Sequence, residues 1–307
     1  MPPFVIGRKQ VMQSLWMLVA SLLFSVMSVC VKLASAQYST SEIVCYRGLI
    51  GMLILGSLLR LHGGTLRTTM GASHFWRGLV GVAALWLWFF AIGQLPLAMA
   101  VTLNAMSPLW IAAMLFTASL RKGRNLPDWR LVLAILMGFA GVILLLQPSI
   151  HASQWVGGVL ALISGVLAAL AYMQVRDMGL RGEPEYRVVF YFCLTCAVAG
   201  MAGTWLLPGH PDQISWHSHD LRGSVLLLAI GVTAVAAQMA MTRAYRLGNT
   251  LLVANLQYLG IVFSSIWDLL IWNDPLSGLS WIGILVILGS GSLASFYNYR
   301  QQQAARR

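Results

Sequence analysis

Three charged side chains interrupt long apolar segments of this chain, where each could act on a charged solute or a proton. Asp268 is the only carboxylate that we place within such a segment, and a desolvated aspartate can exchange a proton in a useful pH range. The nearby Trp272 equally favours a plain position at a membrane interface. Arg47 is either a structural residue or an anion-recognising group, and Lys32 would stand at the outer mouth of a hydrated cavity.

Uncharged polar and aromatic residues recur at helical spacing in several of these segments. Ser25, Ser28 and Lys32 share one helix face in the first segment, for example. Such a face can line a hydrated cavity, but small polar residues also hold packed helices together, and aromatic rings also form interface belts. The candidates for a substrate-binding cavity are Ser25, Ser28, Lys32, Arg47, Trp86, Asn104, Ser107, Gln238, Thr242, Tyr245, Asn255 and Tyr258.

Enzymatic, cofactor or metal chemistry is not indicated by the residue types present. The apolar segments contain no nucleophile next to a base and no ligand spacing typical of a metal site. The four cysteines lie in or beside apolar segments, so no disulfide framework is expected. His210, His217 and His219 match no ordered metal template and favour a solvated loop. We therefore expect no catalytic residue, no cofactor and no bound metal.

The composition indicates a membrane protein. Of the 307 residues, 58% are hydrophobic and only 9% are charged, whereas about a quarter of a soluble protein is charged. Two stretches of 43 and 45 residues contain no Asp, Glu, Lys or Arg, and each can hold two membrane spans of about 20 residues. The net charge of +11 does not indicate a nucleic-acid partner, because too little soluble chain remains to build a basic surface.

Hydropathy and turn residues divide the chain into ten predicted spans. Each is long enough to cross a hydrocarbon core of about 30 Å with some tilt. The predicted spans are 13–34, 43–61, 75–93, 97–119, 131–146, 156–172, 188–207, 224–241, 251–272 and 281–297.

The basic residues predict the orientation of these spans. When the loops alternate from a cytoplasmic N-terminus, 17 of the 20 Lys and Arg residues fall on the cytoplasmic side. Only Lys32, Arg47 and Arg222 fall on the other side. The positive charge is thus explained by topology, and both termini are predicted to be cytoplasmic.

Five spans on each side of the loop at His151 predict two inverted repeats, because an odd number of spans turns the second half upside down. The predicted fold is an all-α integral membrane protein of ten transmembrane helices. Its first repeat covers residues 1–150, with spans one to five, and its second covers residues 151–307, with spans six to ten.

The order of several short motifs along the chain is similar to that of a known family, the EamA-type transporters of the drug/metabolite transporter superfamily. The resemblance covers nearly the whole chain, although no single motif is specific. The motifs are Lys32, Glu42, Arg47, Arg77-Gly78, residues 95–100 (LPLAMA), Ser107-Pro108, residues 244–247 (AYRL) and residues 256–259 (LQYL).

This resemblance implies a secondary transporter that moves small polar metabolites across the bacterial inner membrane by alternating access. Export of amino acids or amino-acid-derived compounds is the leading hypothesis. Uptake of a nucleoside-like or vitamin-like metabolite is the alternative, and a non-transporting membrane scaffold or sensor is an alternative of another class. The expected partners are a small-molecule substrate, the lipid bilayer, and protons or a counter-substrate, for a monomer or a homodimer.

Overall fold

The computed structural model describes residues 11–94, 103–121, 129–146, 155–206, 216–273 and 277–304. All regular secondary structure within these ranges is helical. The helices are α1 (Trp16–Ala34), α2 (Thr40–His62), α3 (Gly71–Gln94), α4 (Ser107–Arg121), α5 (Trp129–Leu146), α6 (Trp155–Leu180), α7 (Glu185–Leu206), α8 (Leu221–Leu247), α9 (Thr250–Leu256), α10 (Leu259–Trp272) and α11 (Gly278–Ala304).

These helices confirm an all-α membrane protein. Six segments of the described chain are long and apolar enough to cross a membrane, and three further apolar helices are shorter. Seven predicted spans correspond to α1–α3 and α5–α8, and the tenth to α11. The fourth, predicted for 97–119, is helical as α4 from Ser107 onward, after a turn at Ala105 and Met106, and its residues 97–102 lie outside the described part of the structure. The ninth differs, because it is divided into α9 and α10 at Gln257 and Tyr258. There the backbone hydrogen bonds run from an amide to the carbonyl three residues earlier, as in a 3₁₀ helix. The Tyr258 amide, for example, donates to the Asn255 carbonyl at 3.2 Å.

Polar residues fix the beginnings of several helices. Ser39 and Glu42 form a capping box at the start of α2, in which each side chain accepts a hydrogen bond from the other residue's amide. Asp220 accepts from the Gly223 amide at the start of α8, and Asn249 caps α9 in the same way. Each cap satisfies amide groups that have no partner inside the helix.

The main helix pairs each join one helix from residues 1–150 to one from residues 151–307. These pairs are α1 with α8, α2 with α7, α3 with α6, and α5 with α11. In addition, α10 packs on α1 and α4 packs on α6. The two halves of the chain are therefore interleaved, and the buried core lies between them.

Glycines allow two of these pairs to approach closely. A Cβ atom on Gly48 of α2 would lie 2.4 Å from the backbone nitrogen of Ala197 in α7, and one on Gly200 would lie 2.5 Å from the backbone nitrogen of Cys45. In the pair α5 and α11, a Cβ on Gly141 would lie 2.9 Å from the carbonyl oxygen of Gly283. Small residues of this kind let backbones meet, which favours helix association within a membrane.

Polar contacts made by loops and by the ends of helices define two ends of the bundle. At the first, which we call the basic end, Arg187 and Tyr191 donate to the backbone of the loop between α2 and α3, and Arg246 pairs with Glu185 at 2.8 Å. At the other, which we call the opposite end, the side-chain amide of Gln37 donates to the Ser218 carbonyl. The bonds of Arg187, Tyr191 and Gln37 join the first half of the chain to the second, whereas the pair of Arg246 with Glu185 lies within the second half.

Candidate functional site

Two arginines from neighbouring helices share the ring of Phe192. The guanidinium carbon of Arg77, on α3, lies 4.2 Å from the ring centroid, and that of Arg47, on α2, lies 5.5 Å from it. Phe192 belongs to α7, so the three residues come from three helices. The arrangement is a cation–π cluster with two positive charges in one compartment.

The ring that the two arginines share lies near the middle of α2, with Arg47 one turn before the centre of that helix and Arg77 in the second turn of α3. Gly51 is the central residue of α2, and a Cβ there would meet the sulfur of Cys193, the neighbour of Phe192, at 2.5 Å. Arg47 is 5% exposed and Arg77 is 3% exposed. An arginine at the centre of a membrane helix costs on the order of 2.5 to 3.5 kcal/mol on insertion scales, so buried charges at this depth call for a functional explanation.

The guanidinium groups have unused hydrogen-bonding capacity. Within the described chain, Nη1 of Arg47 and both Nε and Nη1 of Arg77 are buried without a hydrogen-bond partner. The described ion pairs involve neither arginine. Buried donors without acceptors are costly, and a bound anion would satisfy them.

Glycines of α3 make room for this arrangement. A Cβ on Gly81 would lie 2.1 Å from Nη1 of Arg77, so a larger residue would displace the guanidinium from its place beside Phe192. A Cβ on Gly78 would lie 2.3 Å from the hydroxyl oxygen of Thr195 on α7. The close contact of α3 with α7 and the position of Arg77 thus depend on the same short glycine-containing stretch.

A polar aromatic wall continues from the arginine pair. Tyr172 of α6 lies within electrostatic range of both Arg47 and Arg77. Its ring stacks on Tyr245 of α8, with centroids 5.5 Å apart and planes 12° apart. Tyr245 accepts a hydrogen bond from the side-chain amide of Gln257, which lies at the break between α9 and α10. The wall belongs to the second half of the chain, whereas the two arginines belong to the first.

The first-helix candidates are placed against neighbouring helices or at the opposite end. Ser25 donates to the Leu22 carbonyl and accepts from the indole of Trp267 at 3.0 Å. Ser28 donates to the Phe24 carbonyl, within its own helix. These bonds favour the packing interpretation of the serine face. Lys32 is exposed and lines an outer pocket of about 380 Å³ together with Asp220 and Arg222.

Three further candidates lie in the first half of the chain. Trp86 packs against the cluster that contains Phe192, and its indole nitrogen has no hydrogen-bond partner among the described residues. Asn104 donates to the hydroxyl of Ser164 at 2.7 Å, and Ser107 is buried at the start of α4. Of these, only Trp86 is placed by its contacts beside the arginine pair.

The second-half candidates fall into two groups. Gln238, Thr242 and Tyr245 are buried along one face of α8, and Thr242 has a hydroxyl without a partner in the described chain. Asn255 instead donates to the Ala134 carbonyl of α5 at 3.0 Å, and Tyr258 lies against Gly138 of the same helix.

Asp268 is on the backbone of α10, but its side chain lies outside the described part of the structure. The proton-coupling role therefore stays a prediction. No group of three His, Cys, Asp or Glu residues in the described ranges could hold a metal ion.

A histidine–carboxylate pair is present at each end of the bundle. At the basic end, His74 of α3 contacts Glu183 through Nε2 at 2.9 Å, and both side chains are buried. At the opposite end, His217 contacts Glu42 through Nδ1 at 2.8 Å, and its amide donates to the same carboxylate at 2.7 Å. Glu42 therefore pairs with His217 and not with Arg47. Residues 216–220 form a non-helical segment in which His219 is exposed, but His217 is held by its contact with Glu42 and is only partly exposed. His210 lies outside the described residues.

Sequence reasoning missed several residues of the central cluster. Arg77 was interpreted as a positive charge that follows topology and as part of the Arg77-Gly78 motif of the resemblance, but not as a site residue, since it stands close to the predicted beginning of its span. Phe192 and Tyr172 carried no signal of their own, because an aromatic residue in an apolar segment is normal. The one usable signal was Gly78 and Gly81 beside Arg77, which indicates a close approach by another helix.

Comparison with known proteins identifies the family. The model of the EamA-like transporter family matches residues 12–147 and 155–296. The chain belongs to this family. An EamA-like chain of similar length, the pseudopaline exporter CntI of Pseudomonas aeruginosa, is 34% identical over 88% of this chain and 90% of its own length. The riboflavin transporter of Vibrio cholerae is 24% identical over 95% and 96% of the two chains.

A relative with lower sequence identity is named for a third solute, and a solved structure shares the fold. The S-adenosylmethionine uptake transporter of Rickettsia bellii is 22% identical over 84% of each chain. A solved crystal structure superposes with a TM-score of 0.79 at 20% identity, over 93% of this chain and 98% of the other. At this low identity, the similarity of the two structures supports a shared fold and nothing about function. The family is one of transporters, and membership in it implies a small-molecule substrate and a membrane environment for this chain.

Proposed function

We propose that this protein is a secondary active transporter that exports amino acids or amino-acid-derived compounds across the bacterial inner membrane. The observation that carries the proposal is the buried polar cluster at mid-depth, to which both halves of an EamA-like chain contribute. Transporter sites are commonly built at the bilayer midplane between such halves. The 34% identity to a pseudopaline exporter supports export as the direction.

Uptake of a vitamin-like or nucleoside-like metabolite is the second candidate function. It is favoured by the relatives named as a riboflavin transporter and as an S-adenosylmethionine uptake transporter, which are 24% and 22% identical. An alternating-access bundle has no intrinsic direction, so the gradient that drives the solute decides between uptake and export.

The proposed architecture is two inverted repeats, residues 1–150 and 151–307. The pairing of helices supports it: exchanging the first five spans with the last five converts the contact of α1 with α8 into that of α6 with α3. The same exchange converts α1 with α10 into α6 with α4. The basic end would face the cytoplasm, together with both termini.

Flux into proteoliposomes tests the proposal. Purified protein is reconstituted and loaded with unlabelled solute, and exchange of labelled amino acids, nucleosides and riboflavin is measured with protein-free vesicles as the control. Saturable exchange of amino acids is expected. Exchange of riboflavin alone would favour the second function, and no exchange by a folded protein across the whole panel would favour a scaffold or sensor.

Coupling is tested in the same vesicles with Asp268→Asn. If Asp268 carries the coupling proton, this variant should lose flux driven by a pH gradient and keep exchange of solute against solute, because exchange needs no net proton movement. Normal pH-driven flux by the variant would exclude that role.

A further inference from the structure

We infer that Arg47 and Arg77 form the anion-binding part of the transport site and that the substrate is an organic carboxylate. This inference rests on the proposed function and adds the chemical class of the solute. It assigns to Arg77, as well as Arg47, direct contact with the substrate.

The geometry indicates an occupant that brings negative charge. Both guanidinium carbons lie within 5.5 Å of the same Phe192 centroid, and three of their nitrogen atoms are buried without acceptors in the described chain. None of the ion pairs in the described ranges joins a carboxylate to either arginine. Two like charges are thus held together without a counter-ion from the described side chains.

An ordinary structural role would look different. Buried arginines that serve the fold are normally paired with carboxylates or saturated with carbonyl oxygens. Even the partly exposed Arg246 is paired with Glu185 at 2.8 Å. Arg47 and Arg77 instead keep open nitrogen atoms beside an aromatic ring. The planar guanidinium fork matches the two oxygens of a carboxylate and can bind them bidentately.

The surroundings favour a carboxylate over a phosphate. Phe192, which both arginines contact, is packed in an apolar cluster with Val44, Val82 and Cys196. A phosphate dianion holds more charge and more oxygens, so its dehydration requires more donors than a carboxylate does. The neutral hydroxyl-bearing wall of Tyr172 and Tyr245 is left to contact the uncharged part of the solute.

Binding by purified protein in detergent tests the inference without knowledge of the natural substrate. The probes are three matched pairs, acetate with acetamide, benzoate with benzamide, and succinate with succinamide, together with phenyl phosphate, all at constant ionic strength. The readout is the thermal unfolding midpoint as a function of probe concentration. At least one carboxylate should raise the midpoint saturably, and its amide should not.

Three variants locate the effect. Arg47→Gln and Arg77→Gln should each weaken the response to the carboxylate on the order of tenfold, since a charge-assisted bidentate contact is removed. Arg60→Gln is the matched control, because Arg60 is exposed on the same helix as Arg47, and it should leave the response unchanged. Without probe, the two site variants should unfold at or above the wild-type temperature, because an unpartnered buried charge has been neutralised.

Several results would overturn the inference. These are no response to any carboxylate, an equal response to the amides, a larger response to phenyl phosphate, an undiminished response in both site variants, or site variants that no longer fold while Arg60→Gln does. Failure of the proposed function would look different: the carboxylate response would persist while no solute crosses the vesicles. A solute that is carried equally by wild type and by both site variants would leave the transporter proposal standing and exclude this site.

Discussion

The two ends of the bundle use the same pair of residue types to join the halves of the chain, but they bury the pair to different degrees. At the basic end, His74 and Glu183 are 3% and 5% exposed. At the opposite end, Glu42 is fully buried whereas the ring of His217 is 34% exposed. The contact of His74 with Glu183 is closed to solvent, whereas that of His217 with Glu42 is open to solvent at the histidine.

The supporting contacts differ in the same direction. Glu183 also faces Arg187 at 3.6 Å, and His74 packs on the ring of Tyr191 with centroids 4.4 Å apart. Glu42 is held mainly by backbone amides, those of Ser39 and His217. A carboxylate held by charged side chains depends on its own charge, whereas one held by amides retains part of its bonding as an uncharged group. The basic end should therefore respond more strongly to the loss of its carboxylate charge.

The largest effect is expected for Glu183→Gln. Removing this charge leaves His74 and Arg187 without their acidic partner in a buried site, so the free energy of unfolding should fall by about 2 to 4 kcal/mol. Chemical unfolding in mixed micelles measures the loss. Asp177→Asn is the control, because Asp177 pairs with Arg181 at an exposed position and its neutralisation should change little. Equal losses for the two variants would contradict the special role of the buried pair.

A smaller loss is expected for Glu42→Gln at the opposite end, about 1 to 2 kcal/mol, since the glutamine oxygen can still accept one backbone amide. A double-mutant cycle with His217→Ala measures how much of the loss comes from the histidine. If Glu42→Gln proves more destabilising than Glu183→Gln, the comparison of the two ends is reversed.

Acid should weaken the basic end in a defined pH range. Burial raises the pKa of the Glu183 carboxyl, but hydrogen bonds from His74 and Thr68 and the positive charges of His74 and Arg187 outweigh it, so the pKa lies below its ordinary value of 4.5. A lowered pKa stabilises the fold above that ordinary value, and the stabilisation is lost as the pH falls through the lowered pKa. The part of the stability gap between wild type and Glu183→Gln that comes from the Glu183 carboxyl should thus be fully present above about pH 4.5 and shrink below it. A gap that grows on acidification would reverse the sign.

The smallest effect is expected for Tyr46→Phe. It removes the contact of the Tyr46 hydroxyl with Nε2 of His219, which is 2.7 Å long and exposed. Because water can replace this partner, the loss should be about 0.5 kcal/mol. Unfolding in the same micelles provides the value, and a loss as large as that of Glu42→Gln would show that the solvated side of the opposite end matters as much as its buried carboxylate.

The sequence was sufficient to predict where helices lie, because apolar runs and turn residues act locally. It placed α2 at 43–61 where the helix is Thr40–His62, and α5 at 131–146 where it is Trp129–Leu146. It ended the sixth span at Tyr172, although α6 continues to Leu180. Hydropathy reports the apolar part of a helix and not its last turns, which here include Arg176 and Asp177 and extend beyond the apolar stretch.

The side-chain partners could not be predicted, because they depend on residues far apart in the chain. Arg47 stands out in the sequence as a charged residue within an apolar segment, but the sequence did not indicate that Phe192 and Arg77 lie beside it. Glu42 stands only five residues before Arg47, yet it pairs with His217, on the other side of the chain's midpoint. Helical spacing decides which residues share a face, and tertiary packing decides what that face meets.

The close glycine contacts of the pairs α2 with α7 and α5 with α11 bear on how the sequence of this protein can vary. A methyl group at Gly48 or Gly283 would meet backbone atoms of the partner helix, which cannot rotate away as a side chain can. Gly56 and Gly289 have open space around the same position on these same helices. In a library of single alanine replacements, the first two sites should be among the most strongly depleted and the last two should be retained, so variation that alters solute preference must accumulate around these fixed crossings.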